Sequence, residues 1–204
     1  RMNNKLLLEP HSAPDIFWRS LQFFSLYRLA VSLMFFAAVI VSGDVLSVGI
    51  EDPTLFVRSA ILYVIAAMAF LAAVRRKRNY FNLQLSVQVA TDILLITLMM
   101  YASGGQKSGI GVLLMVVVAG AGLVGQGRLT LFYAALASLS ILMEQSWRAL
   151  VFNADAADFA RSGFTCLGFF GTAITAQLLA RRVVANETLA VERGKELASQ
   201  LRIG

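Results

Sequence analysis

The sequence predicts an all-α membrane protein, a bundle of six transmembrane helices. Hydrophobic residues make up 58% of its 204 residues, charged residues only 15%, and the mean hydropathy is +0.70. A soluble domain of this size needs more polar surface than such a chain can supply. Six apolar stretches approach the roughly 20 residues that a helix needs to cross a bilayer. They are Leu21 to Ser42, Leu55 to Val74, Leu83 to Tyr101, Gly109 to Val124, Leu129 to Trp147 and Gly163 to Ala180.

The connections between these stretches are short, and basic residues concentrate on one side of the bundle. The longest connections, 43–54 and 148–162, cannot hold a folded ligand-binding domain. With both termini in the cytoplasm, only four of the 18 Lys and Arg residues fall on the opposite side, as the positive-inside rule requires. We therefore expect an interfacial segment 1–20, a membrane bundle 21–182 and a cytoplasmic connector 183–204. The net charge of +6 then serves topology and attraction to anionic lipid, not nucleic-acid binding.

The first span is preceded by an amphipathic approach. Residues 15–28 read DIFWRSLQFFSLYR, a mixture of aromatics and arginines typical of an interfacial helix. Arg28 lies one to two turns inside the apolar stretch. We expect it to snorkel to the cytoplasmic surface, and the alternative is a partner acid inside the bundle.

The third span carries the sharpest polar pattern. Gln84, Gln88 and Asp92 are four residues apart, so they share one helical face that descends toward the bilayer centre. A carboxylate in hydrocarbon costs about 2.5 to 3.5 kcal/mol on insertion scales, so Asp92 must face protein or water, or be protonated. We expect a stripe of hydrogen bonds between helices. A proton or ion path and a recognition face for another helix are the alternatives.

The fourth span is predicted to pack closely against other helices, and the fifth span ends in a polar group of residues. Glycines recur along 109–127, where they permit tight helix crossings. Where the fifth span ends, Glu144 and Gln145 stand before Arg148, and Glu144 can pair with Arg148 across one helical turn. We expect interfacial anchoring here, with a signal site near the outer surface as the alternative.

The sequence of the sixth span predicts close helix packing, and the segment that follows it predicts a connector for signal output. Small residues recur every four positions, a pattern that lets two helices approach closely, either within the bundle or across a dimer: Gly168, Thr172, Ala176 and Ala180. After Arg181 and Arg182 the helix continues without Pro as an amphipathic segment with Leu189, Leu197 and Leu201 on one narrow face. Such a continuation is typical of a dimeric signalling connector, and a solvated tail is the alternative.

Motifs for catalysis or metal binding are absent from the sequence. The one cysteine, Cys166, lies inside the sixth span, and the one histidine, His11, lies between two prolines near the N-terminus. There is no phosphate-binding GxxxxGK[ST] loop and no pair of histidines for a metal. We expect no catalytic residue, metal or cofactor in this chain.

The order of these features resembles the six-span sensor region of PilS-type histidine kinases, which control type IV pilin expression. The similarity lies in FFSLYRLAVSL in the first span, ATDILLITLMMYASGGQKSGIGVLL in the third and fourth, GRLTLFYAALASLSILMEQSWR in the fifth and LLARRVVANETLAVERGKELASQL at the exit. It runs from about Phe17 to Leu201.

The resemblance implies a homodimeric receptor of the bacterial inner membrane. Its cytoplasmic domains would use ATP and magnesium to phosphorylate a histidine and then a response regulator. Neither the phosphoacceptor segment nor an ATP-binding domain occurs before Gly204, so we expect this fragment itself to be inert. The implied signal is pilin, whose membrane helix carries one acidic residue. We expect Arg28 or the face of Gln84 and Gln88 to receive that acid.

Two rival functions use the same residues. A small proton-coupled transporter or channel would titrate Asp92 and Glu144. A scaffold that only assembles other membrane proteins would differ from a receptor mainly in the segment beyond Gly204.

Overall fold

The computed structural model describes residues 15–41, 49–76, 81–125, 128–152 and 156–201, and this part of the chain is helical as predicted. Each predicted span corresponds to one helix: α1 (Asp15–Val41), α2 (Pro53–Arg76), α3 (Phe81–Ala102), α4 (Gly111–Val124), α5 (Arg128–Phe152) and α6 (Ala156–Leu201). All except α4 are long and apolar enough to cross a membrane. The all-α class is thereby confirmed, whereas the cytoplasmic location of both termini stays a prediction.

A separate 3-10 turn, Gly105–Ser108, precedes the short fourth helix. At 1.5 Å per residue the 14 residues of α4 extend about 21 Å, and four residues of 3-10 helix add about 8 Å. The helix alone is thus shorter than the roughly 30 Å of a bilayer core, and Gly109, with φ of 75°, separates it from the turn. At the start of the turn Gly104 and Gly105 have φ of 95° and 74°, a left-handed backbone conformation that residues other than glycine rarely adopt.

The third helix is central and the sixth peripheral. In their membrane segments 56% of the residues of α3 are buried, against 17% for α6. α3 packs against α2, α4 and α5, while α6 packs mainly against α4 and α5. The outward faces carry exposed apolar side chains such as Leu94 and Leu167, as lipid contact requires.

The connection between α1 and α2 ends in a strong helix cap. Asp52 accepts hydrogen bonds from the Leu55 amide at 2.9 Å and the Thr54 hydroxyl at 2.7 Å, and Pro53 occupies the first helical position. The bond to the Leu55 amide is the main cause of the lowered pKa of Asp52, because it favours the ionised carboxylate. This cap fixes where α2 begins.

The predicted connection 148–162 proves shorter than expected. α5 continues to Phe152 and α6 already begins at Ala156, so most of that stretch is helix. α6 then runs 46 residues without interruption.

α4 and α6 cross closely at glycines. A Cβ on Gly122 would lie 2.8 Å from Ala176 Cβ and 2.9 Å from Thr130 Cγ2, and a Cβ on Gly168 would lie 2.6 Å from Met115 Cε. Ala173 and Phe169 are fully buried in the same interface. The small residues of the sixth span therefore pack in part inside one subunit.

We predict that Gly122→Ala lowers stability by about 1 to 3 kcal/mol, because the added methyl group overpacks the contact with Ala176 and Thr130. Gly163→Ala is the matched control, since a Cβ there meets no atom within 4 Å. Unfolding of both variants in detergent, followed by circular dichroism, measures the difference. Equal midpoints would contradict the close packing of α4, α5 and α6.

Candidate functional site

Arg28 forms a buried ion pair at the middle of the bundle. Its Nε lies 2.6 Å from Asp92 Oδ1, its Nη2 donates to Asp92 Oδ2 at 2.7 Å, and its Nη1 donates to Gln88 Oε1 at 2.8 Å. Arg28 and Asp92 are each only 1% exposed. Each residue is near the midpoint of its helix, α1 or α3, so the pair connects the two helices deep in the apolar region.

Further side chains enclose this pair. Ser25 Oγ lies 3.4 Å from Gln88 Oε1, and the Tyr63 side chain of α2 is fully buried near Asp92. The rings of Phe24 and Phe70 lie 5.1 and 5.3 Å from the guanidinium carbon, within cation–π distance. We call this group the Arg28 cluster: Ser25, Arg28, Tyr63, Gln88 and Asp92.

The snorkelling expected for Arg28 is wrong, and the alternative of a partner acid holds. A planar guanidinium matches a carboxylate in a two-bond geometry, which neutralises both charges where water is absent. Gln88 and Asp92 therefore do form interhelical hydrogen bonds. Gln84 lies one turn away in a half-buried position.

A second arginine, Arg148 of α5, joins three elements at the end of the bundle that carries the 3-10 turn. Its Nε donates to Glu144 Oε1 at 2.5 Å, and its Nη1 and Nη2 donate to the two oxygens of Glu51 at 2.9 and 2.5 Å. Nη2 also donates to the Tyr101 carbonyl at 2.8 Å, and the guanidinium lies 5.4 Å from the Tyr101 ring. We call Glu51, Tyr101, Glu144 and Arg148 the Arg148 cluster.

The Arg148 cluster terminates α3. The last carbonyls of a helix lack partners within it, and a buried one must find them elsewhere. The Ala102 carbonyl accepts from the backbone amides of Glu51 and Asp52, both at 3.1 Å, while Arg148 satisfies Tyr101. Gly105 makes this possible, because a Cβ at that position would lie 2.6 Å from Arg148 Nε.

Interfacial anchoring does not describe Glu144 and Gln145. Glu144 is 6% exposed and Gln145 2%, so both are buried inside the bundle and not spread along its surface. Glu51 and Tyr63 were missed as members of the two clusters. A tyrosine in the middle of an apolar stretch and an acid beside a span were the available signals, but neither identifies its partner.

Two of the predicted small residues of the sixth helix contact α4. Ala176 is buried against Gly122, Gly168 lies against Met115, and Thr172 and Ala180 are half-buried. Arg181 and Arg182 are exposed. The side chains of Leu189, Leu197 and Leu201 lie outside the described residues, so their role in output stays a prediction.

Among the described residues no group of three His, Cys, Asp or Glu side chains is placed to hold a metal ion. In each cluster one buried arginine binds acids and other oxygen acceptors of neighbouring segments.

Comparison with known proteins agrees with this architecture. A family model for PilS-like transmembrane domains matches residues 11–190. The sensor protein kinase PilS of Pseudomonas aeruginosa is 32% identical over 184 residues, which is 89% of this chain and 34% of that kinase. The chain thus spans about a third of the length of this relative. No solved structure matches the chain significantly.

We predict that Asp92→Asn destabilises the bundle by about 3 to 5 kcal/mol, because it leaves the guanidinium of Arg28 buried without a counter-charge. The double variant Arg28→Met with Asp92→Leu should regain most of that loss, since it removes both charges. Unfolding titrations in mixed micelles compare the single and double variants. Ser25→Ala is the control, with a small expected effect. A double variant no more stable than Asp92→Asn would contradict the pairing.

We predict that Arg148→Gln speeds amide hydrogen exchange at Glu51 and Asp52 at least tenfold, because the 49–52 segment then loses its bridge to α5. Arg148→Lys should be intermediate, since an ammonium group cannot bind both oxygens of Glu51 in the fork geometry. Exchange measured by mass spectrometry at the Arg28 cluster is the internal control and should not change. Unchanged exchange at Glu51 and Asp52 would refute the bridge.

Proposed function

Since the chain belongs to the family of PilS-like transmembrane domains, we propose that it is the input domain of a two-component sensor histidine kinase that detects type IV pilin inside the inner membrane. The proposal includes a homodimer with both termini in the cytoplasm. Kinase domains of the same protein would then use ATP and magnesium and pass a phosphoryl group to a response regulator.

The observation that carries this proposal is the length and continuity of α6. Its 46 residues extend about 69 Å, more than twice the thickness of a bilayer core. The helix passes through Arg181 and Arg182 without a break, so its far half extends beyond the apolar region. A rigid helix of this kind carries a shift or rotation from the membrane to any domain joined to its end.

The short connections direct recognition into the membrane. Residues 49–52, just before α2, pack onto α3 and α5, and the 3-10 turn packs against Arg148, so these described parts of the connections form no separate ligand-binding domain. A ligand with a single apolar helix meets side chains of the spans instead. Small residues and a few polar groups give such contacts their specificity.

Arg28 is the proposed binding residue for the acidic side chain of the ligand helix. That acid would compete with Asp92 for the guanidinium. The guanidinium already binds Asp92 and Gln88. A second carboxylate that reaches Arg28 therefore replaces part of this bonding and loosens α1 from α3. Gln84 and Gln88 line the same face of α3 and supply amide contacts along the approach. Binding then needs to bias the bundle by only about 1 to 3 kcal/mol, the usual size of allosteric coupling.

A proton-coupled transporter or channel has less support. Asp92 and Glu144 each bind their own arginine, and the fully buried apolar residues Met99 and Met100 lie on the stretch of α3 between the two clusters.

We predict no proton flux above that of empty liposomes in reconstituted vesicles, and the same result for Asp92→Asn. A flux that Asp92→Asn abolishes would establish the transporter function.

We predict that the double variant Arg28→Met with Asp92→Leu loses co-purification of pilin from detergent-solubilised membranes by at least tenfold, because the receptor for the ligand acid is gone. This variant is suited to the test because it is expected to fold. Gln84→Leu and Gln88→Leu should weaken capture by smaller amounts. Gln145→Leu, in the buried polar region at the other end of the bundle, is the matched control and should capture pilin normally.

Full pilin capture by the double variant and by both glutamine variants would exclude the Arg28 cluster as the receptor. In that case the small-residue surfaces of α4 to α6 would have to provide recognition by themselves.

A further inference from the structure

α6 is attached to the bundle differently from α1, α3 and α5. Those helices meet at the buried arginines of the two clusters. The ion pairs described for α6 are Lys107–Asp158 at 3.4 Å and Arg161–Asp158 at 4.0 Å, and both cations are more than half exposed. Exposed pairs contribute little to stability. α6 therefore depends on close apolar packing, which tolerates two nearby arrangements better than a buried ion pair does.

Several buried polar atoms of α5 and α6 have no hydrogen-bond partner, and two of them are a donor and an acceptor that could bond to each other. Ser162 of α6 is 0% exposed, and its Oγ is unpartnered. Glu144 of α5 binds Arg148 through Oε1, whereas its buried Oε2 accepts no hydrogen bond. A buried donor and a buried acceptor that are both unsatisfied are costly in the same way, and one bond between them removes both costs.

The packing of α5 and α6 places these two groups at the same height. The helices run antiparallel, and the Cys166 Sγ lies 3.7 Å from the Ser138 carbonyl. Lower in the bundle, Thr130 and Ala176 both approach Gly122. From the Ser138–Cys166 contact, four residues further along α5 and four residues back along α6 bring position 142 beside Ser162. From Thr130 and Ala176, fourteen residues in the same directions bring Glu144 beside Ser162. Ser162 also lies one turn from Asp158, whose partner Lys107 belongs to the 3-10 turn that contacts Glu144.

We propose that Ser162 donates a hydrogen bond to Glu144 Oε2 in a second arrangement of the domain, and that this bond defines the second position of α6. In the described arrangement the bond is open. A small displacement of α6 along or around its axis closes it, while Arg148 keeps Glu144 Oε1 in place. Ser162 is thus a positioning residue of α6, and Glu144 is the fixed acceptor on the anchored part of the bundle.

Gln106 is the competing donor for Glu144. Its Nε2 is also buried without a partner, and it follows Gly105 in the 3-10 turn. However, its amide oxygen lies against Gly111, at 3.0 Å from the position of a Cβ, which directs the side chain toward α4. Ser162 is favoured because it belongs to the helix whose position has to change.

Pulsed electron–electron spin resonance on the complete chain in lipid nanodiscs tests the proposal. Spin labels are placed at Phe132→Cys on α5 and Val183→Cys on α6, both half-exposed or more, in a Cys166→Ala background diluted with unlabelled chain. We expect two distances between the labels. Ser162→Ala should reduce the population at one of these distances by about fivefold, which is the effect expected for the loss of one ordinary hydrogen bond. Ser162→Thr should restore this population.

Ser138→Ala is the matched control, because it removes another buried hydroxyl without a partner from the same helix interface. The proposal is overturned if Ser162→Ala leaves the two populations unchanged, or if Ser138→Ala or Gln106→Leu has the same effect as Ser162→Ala.

The identification of the two arrangements as signalling states rests on the proposed function, but the measurement needs neither pilin nor a kinase domain. A single, unaltered distance refutes the Ser162 bond and leaves pilin capture by the Arg28 cluster intact. Two distances that depend on Ser162, together with no pilin capture, refute the proposed ligand and leave the Ser162 bond standing.

Discussion

A charge inside hydrocarbon has to be neutralised by the protein, and this requirement organises the bundle around α3. The Arg28–Asp92 pair joins α1 to the middle of α3, and Tyr63 adds α2 to the same cluster. Arg148 and two backbone amides satisfy the terminal carbonyls of α3 and bring in α5. Removing one partner from such a pair costs more than the pair contributes when intact. The positions of these helices are therefore mutually dependent, and α3 is the element that they share.

The sixth helix stands apart from this arrangement. It contacts α4 and α5 through glycine, alanine and fully buried Phe169, and its described ion pairs lie at the exposed end. A receptor needs one part that holds its shape and one that can move, because a ligand shifts only an equilibrium between states that already differ in packing. In the proposed sensor, charge pairing in α1, α3 and α5 would supply the first part and apolar packing of α6 the second.

Hydropathy alone predicted the number of helices, and four-residue spacing predicted that Gln88 and Asp92 share a buried face. The partner of Arg28 could not be predicted, because it lies 64 residues away and the snorkelling alternative is equally consistent with the local sequence. The burial of Glu144 was missed for the same reason: Glu51 is 97 residues from Arg148 and belongs to a connection. The 3-10 turn before α4 was also missed, since Gly104 and Gly105 were used only as part of the segment that carries the family resemblance.

The distance along the chain between Arg28 and Asp92 has a consequence for how the protein is made. At about 5 to 20 residues per second, roughly 3 to 13 seconds pass between synthesis of the first partner and of the second. During that interval α1 enters the membrane with an arginine whose acid does not yet exist, at a cost of about 2.5 to 3.5 kcal/mol. Until the third span is made, the Arg28 guanidinium has no buried acid to pair with, and snorkelling to the membrane surface is the route that lowers this cost.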